Sequence, residues 1–206
     1  MAESIALIDF GAGNLHSVHN ALIAAGAKGV QVTADPQIVA QADRIILPGV
    51  GAFGACRSAL AAIDGMIAAL ELRVRQESVP FLGICVGMQL LADKGIEFGT
   101  HKGLGWIGGT VRAIEAPSPD IKIPHMGWND VTPSIDHPLL SSGEAYYLHG
   151  YHFNATDPED ILATSHHGQA LVAAIGHENI IGVQFHPEKS QSYGLAFLQR
   201  FLEWKP

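Results

Sequence analysis

Pro80-Phe81-Leu82-Gly83-Ile84-Cys85-Val86-Gly87-Met88-Gln89-Leu90-Leu91-Ala92 is the stretch on which the fold turns. Pro80 to Ile84 is an apolar run of strand length, and Met88 to Ala92 begins a helix. Cys85 stands between them, with a glycine two residues before it and another two after. Glycines at those places relieve crowding where a strand turns sharply into a helix, the logic of the G-x-S-x-G nucleophile elbow. The reading puts the thiol exposed at the sheet edge with a helix N-terminus beneath it, which favours thiolate, the reactive form. The Val86 N–H would face an oxyanion formed at a carbonyl attacked by the sulfur.

Upstream, the chain alternates strand and helix. Ile5 to Phe10 reads as a buried strand running into Gly11-Ala12-Gly13, and Asn14 is placed to cap a helix with Leu15, Val18, Leu22 and Ala25 on one face, closed by Gly26. Gly29 to Thr33 is a second strand, and Arg44 to Leu47 a third, stopped by Pro48. Helical spacing follows through Leu60, Ile63, Ile67 and Leu70. The alternation implies parallel strands with helices on both faces. Downstream, short strands are expected at 106–114, 127–131, 145–153, 161–165, 171–175 and 180–185, with one helix over 193–204. The fold class is α/β with a strand-rich C-terminal half, in a single domain over 1–206.

Composition narrows the class of function. The chain has 206 residues, 48% hydrophobic and 16% charged, which excludes intrinsic disorder. A net charge of −8 speaks against a nucleic-acid surface. Two cysteines make no disulfide framework, so a reducing, cytoplasmic setting is expected. Met1-Ala2-Glu3-Ser4 lacks a basic segment and Asp9 interrupts the first apolar run, so no secretory signal is expected. No run of about 18 apolar residues suggests a membrane span.

Two glycine loops follow strand ends. Gly11-Ala12-Gly13-Asn14 opens like a dinucleotide fingerprint, but His16 occupies the place of its third glycine, and a tight turn is the better reading. Pro48-Gly49-Val50-Gly51 could bring backbone N–H groups to a ligand. A cysteine nucleophile needs a base, and eleven histidines compete for that role. His186 follows an apolar strand and precedes Pro187-Glu188. Pro187 should hold the chain extended, so that His186 and Glu188 point the same way. His16 and His19 lack partners for a metal, and neither metal nor cofactor is expected. Cys56 has no comparable frame and reads as an ordinary buried cysteine.

Gly83-Ile84-Cys85-Val86-Gly87-Met88-Gln89 together with Phe185-His186-Pro187-Glu188 resembles the class I (triad) glutamine amidotransferases. Ile8 to Leu15, Pro48 to Phe53, Pro124 to Asn129 and Gly182 to Ser190 narrow the resemblance to the branch that serves a cyclase in histidine biosynthesis. The resemblance runs from about residue 5 to the C-terminus. It implies a three-layer, flavodoxin-like domain with a mostly parallel central sheet. It further implies that Cys85 forms a γ-glutamyl thioester from glutamine, with His186 shuttling protons and Glu188 orienting it. Val86, Val50 and Gly51 would form the oxyanion hole; Gln89, Gly49 and the backbone of His149-Gly150-Tyr151 would hold glutamine. Asn14, Trp128 and Lys189 would face a (β/α)8 cyclase subunit in a heterodimer. Gly150 departs from the family, which carries a small hydroxylated residue there; a backbone contact would still work. Other biosynthetic glutaminases, an independent Cys–His γ-glutamyl hydrolase and a docking module without catalysis are the alternatives.

Overall fold

A computed structural model of the chain describes residues 3–116 and 118–206. Strand β1 (Ile5–Ile8) leads to helix α1 (Leu15–Ala24), then β2 (Val30–Thr33), α2 (Pro36–Val39) and β3 (Arg44–Gly49). Helices α3 (Phe53–Ala62) and α4 (Met66–Leu70) follow, the latter running into a π-turn over Glu71–Gln76. Strand β4 (Phe81–Cys85) is followed by the single turn of α5 (Val86–Gln89). The rest is strand-rich: β5 (Lys94–Ile96), β6 (Thr100–Lys102), β7 (Gly109–Ala113), β8 (His125–Pro133) and β9 (Gly143–His149). It continues with β10 (Tyr151–Ala155), β11 (Ile161–His166), β12 (Ala170–His177) and β13 (Ile180–Val183), and ends in α6 (Gln191–Glu203).

The fold is a three-layer α/β arrangement around a nine-stranded mixed sheet ordered β2-β1-β3-β4-β13-β12-β11-β8-β9. From β2 to β13 the neighbours are parallel; from β13 to β9 they are antiparallel. Central strands covered on both faces are apolar throughout, which is why Ile5–Ile8 and Phe81–Cys85 are buried at every residue. Helix α1 packs with α6, while α2 and α3 pack with α4, giving the two helical layers. A second, four-stranded sheet, β10-β7-β5-β6, stands beside the first. One hydrophobic core links the two halves, from Ile5 to Trp204.

Several expectations are corrected. Pro48 does not stop β3, because the strand pairs on through Pro48↔Ile84 and Gly49↔Cys85; a proline is tolerated near a strand end where its missing N–H is not required. The helical spacing over 60–70 is not one helix, since Ile63 leaves helical geometry and Gly65 takes φ +78. Met88–Ala92 is not the start of a long helix; α5 is one turn and the chain bends away after it. The run 145–153 divides at Gly150, sending β9 to the large sheet and β10 to the small one. Trp106 and Ile107 are buried outside a strand, and β7 begins only at Gly109.

Candidate active site

The parallel half of the sheet delivers the reactive residues to one edge. β4 lies between β3 and β13, so Cys85 at its C-terminal end faces the loop after β3 on one side and the segment after β13 on the other. Cys85 takes φ +56 and ψ −111, a strained geometry for a residue with a side chain. The glycines beside it permit that turn. A Cβ on Gly87 would stand 1.8 Å from the Leu47 carbonyl oxygen, and one on Gly83 would stand 2.7 Å from that of Gly87. The thiol is not exposed as the sequence suggested: Cys85 is 4% accessible at the floor of a cleft. With only one helical turn after it, the helix dipole contributes little there.

His186 and Glu188 reach the sulfur from the segment after β13. His186 lines the cleft together with Cys85, and its Nδ1 lies 2.9 Å from Glu188 Oε1. The expected extended geometry holds at His186, but Pro187–Lys189 coils into a 3₁₀ turn that swings the carboxylate back onto the ring. The segment is anchored by Phe185, whose ring meets Tyr193 and Phe197 edge-on at 5.8 and 5.6 Å. Burial by itself would lower the His186 pKa; its interactions with Cys85 and Glu188 outweigh it and lift the imidazole to about 9. Glu188 is held below the usual carboxylate range: burial would raise it, but hydrogen bonding and charge from His186 prevail.

Asn14 belongs to this cluster. Its side chain does not cap α1, as the sequence suggested; instead Nδ2 donates to Glu188 Oε1 at 3.1 Å. Gln184, fully buried, donates from Nε2 toward Cys85 Sγ at 3.7 Å and accepts from Gln89 Nε2 at 3.0 Å. Sequence reasoning missed Gln184, although a polar residue inside the apolar run Ile180 to Phe185 was a readable signal.

The cleft above Cys85 has a volume of about 470 Å³. Val50, Gly51, Val86, Gln89, His149, Gly150 and Tyr151 line it, as do Asn14, His186 and Lys189. Gly49 does not: it is buried behind the wall, paired with Cys85 and packed against the Gly87 nitrogen. Cys56, buried in α3, donates its thiol to the Val50 carbonyl at 3.4 Å and so braces the glycine loop; burial pushes its pKa up to about 11. Glu97 also lines the cleft, and its Oε2 accepts from the Phe53 N–H at 2.6 Å. Nothing in the local sequence marked Glu97, which is brought there by the small sheet.

Trp128 lies outside the cleft, on the hairpin β8–β9. The register sets Met126 beside Leu148 and Trp128 beside Tyr146, on its outward face. Met126 is 66% exposed and Trp128 46%, an apolar rim that Lys189 joins with its Nζ 5.8 Å from the Tyr146 ring centre. No single helix among the described residues is long and apolar enough to cross a membrane.

Comparison with known proteins finds relatives over nearly the whole chain. Residues 6–204 match the family described as glutamine amidotransferase class-I. The chain is 58% identical over 208 residues to an imidazole glycerol phosphate synthase subunit HisH of Zymomonas mobilis, covering 100% of this chain and 98% of that one. It is 52% identical over 212 residues to the protein of the same name in Rhodospirillum rubrum, covering 98% and 99%. Among solved structures, a glutamine amidotransferase matches with TM-score 0.75 at 18% identity, covering 97% of each chain. The PurLQS structure from Thermotoga maritima matches with TM-score 0.73 at 19% identity, covering 98% of this chain and 99% of that one. At such identities the structures speak for the fold alone.

Proposed function

The chain belongs to the class-I glutamine amidotransferase family, and from that premise we propose that it is the glutaminase subunit of an imidazole glycerol phosphate synthase. One observation carries the reading: Cys85 and a His186 paired with Glu188 stand together in a cleft large enough for an amino acid. In this reading Cys85 Sγ attacks the side-chain amide carbon of glutamine. His186, the imidazole that Cys85 and Glu188 favour in its charged form, passes a proton to the departing nitrogen, and ammonia leaves a γ-glutamyl thioester. Water, deprotonated by His186, then attacks the thioester; the C–S bond breaks, glutamate leaves, and the sulfur is restored.

The remaining roles follow from position. The Val86 N–H, with a backbone N–H of the Val50–Gly51 loop, stabilises the oxyanion of each tetrahedral intermediate. Glutamine lies along Gln89 and the 149–151 backbone, and Gly49 contributes by fixing the loop rather than by touching substrate. Glu97 is the carboxylate suited to the substrate's ammonium group. The apolar rim of Met126, Trp128 and Leu148 is the docking face for a (β/α)8 cyclase subunit, which receives the ammonia for histidine biosynthesis. Asn14 and Lys189 stand between that face and the triad. The whole chain acts as one amidotransferase domain, supported by the core its halves share. Two free, buried thiols suit a cytoplasmic setting.

The test is glutamate release by the purified chain alone, with the cyclase subunit, and with that subunit plus its ribonucleotide ligand. The expected result is little activity alone, a large rise with the liganded partner, and none for Cys85→Ala. Full activity without a partner would instead mark an independent hydrolase. Silence in all three conditions would leave only a docking module.

A further inference from the structure

The inward face of β8 carries His125 and Asn129, and a chain of hydrogen bonds runs from them to the cleft wall. Asn129 is oriented by the backbone: its Oδ1 accepts from the Asp130 N–H at 2.8 Å. Its Nδ2 donates to the His166 carbonyl at 2.9 Å and lies 3.0 Å from His125 Nε2. At the other end, His149 Nδ1 lies 2.8 Å from the Tyr151 carbonyl oxygen. A carbonyl only accepts, so His149 Nδ1 carries hydrogen; the Asn129 NH2 group only donates, so His125 Nε2 has no hydrogen and the His125 hydrogen sits on Nδ1. The 2.9 Å contact between His149 Nε2 and His125 Nδ1 therefore requires His125 to donate. That leaves His149 Nε2 as the acceptor. A backbone group at each end thus dictates every hydrogen between, and both rings are neutral.

The packing suits this state. His125 stacks between Tyr147 at 4.7 Å and His167 at 4.3 Å, and burial pushes its pKa down to about 4. Burial likewise takes His149 to about 3. The Tyr151 carbonyl accepts a second hydrogen bond from Gln89 Nε2 at 3.1 Å, so both of its lone pairs are engaged. Gln89, His149 and Tyr151 line the cleft; His125 and Asn129 do not.

We propose that His125 and Asn129 are positioning residues for glutamine: they hold His149 in the one tautomer that pins the Tyr151 carbonyl, and with it the wall and the Gln89 amide on which substrate rests. This rests on the glutaminase reading above. His125→Phe keeps the stacked ring and removes both nitrogens. In the complex with the liganded cyclase it should raise KM for glutamine about 3- to 10-fold while kcat stays within about twofold. His125→Asn sets an amide N–H where Nδ1 stood and should restore most of the lost affinity. Equal behaviour of the two variants, or a fall in kcat without a change in KM, would overturn the proposal.

The nitrogen-15 spectrum of the unaltered chain gives a test that no variant's folding can spoil. Both His125 and His149 should show the Nδ1–H tautomer, and an Nε2–H or doubly protonated ring on either overturns the chain. A wild-type complex that releases no glutamate, yet shows both tautomers, would sink the glutaminase reading and the substrate role with it, leaving the hydrogen-bond chain intact. Normal turnover with the wrong tautomer would sink the proposal alone.

Discussion

Glu188 accepts twice through one oxygen, from Asn14 and in its contact with His186, while its Oε2 is buried with no hydrogen-bond partner among the described residues. Asn14 therefore sets the direction in which the carboxylate meets the imidazole. Asn14→Ala should lower kcat at saturating partner about tenfold, the effect of losing one hydrogen bond to a charged group. Loss of partner affinity with unchanged kcat at saturation would instead leave Asn14 as a docking residue only. Gly150 makes the opposite case. A Cβ there would meet nothing closer than Ile123 Cγ2 at 3.9 Å, and its carbonyl is already held by the Ile114 N–H at 2.9 Å. Gly150→Ser should fit without strain and change KM for glutamine by less than about twofold, since the backbone makes the contact. A large gain in affinity would show that the hydroxyl matters.

The elbow is where element and chemistry meet. Gly87 packs so closely on β3 that any side chain would enter the Leu47 carbonyl, and backbone cannot yield as a side-chain tip would. Gly87→Ala should therefore cost about 1–3 kcal/mol or more and displace Cys85, read as a lowered Tm together with lost glutaminase activity. That elbow was legible in the sequence because its requirements are local: apolar run, paired glycines, one nucleophile. The same is true of Phe185-His186-Pro187-Glu188 and of the strands in the parallel half. What stayed illegible was set by distant contacts. Asn14 has the chemistry of a cap, yet its amide is claimed by Glu188, which follows it by 174 positions. Glu97 and the His125–His149 pair depend on which strands of the second half become neighbours, and no local pattern fixes that. The break at Gly65 and the shortness of α5 were likewise hidden, because helical spacing of apolar residues continues across both.

At the scale of the molecule, buried ionisable groups shape the pH dependence of stability. The unfolded chain takes up protons at His125 and His149 from about pH 6.5 downward. The folded chain resists until about 4 and about 3. Their contribution is complete above pH 6.5 and lost as pH falls, roughly 2 kcal/mol or more by pH 4. Glu188, held low, adds to the same acid limb. His186 acts in reverse: raised to about 9, it stabilises fully below pH 6.5 and its contribution is lost as pH rises toward 9. Chemical unfolding across pH should therefore give greatest stability near neutrality. Replacing His125 with Phe should flatten the acid limb and leave the alkaline one unchanged. An acid limb as steep as that of the unaltered chain would refute this assignment.

The outward face of the same hairpin makes a separate prediction, because β8 alternates between two duties. His125 and Asn129 face inward to the cleft wall, while Met126 and Trp128 face out beside Leu148 and Tyr146. A large aromatic half exposed on an apolar rim is the kind of residue that anchors an interface once it is desolvated. Trp128→Ala should weaken binding of the cyclase subunit by about 2 kcal/mol, near 30-fold in Kd, measured by titration calorimetry. Trp128 touches neither the triad nor the cleft, so the chain's unstimulated glutamate release should not change. At saturating partner, turnover should also recover. A variant that binds the partner normally would move the docking face away from this hairpin.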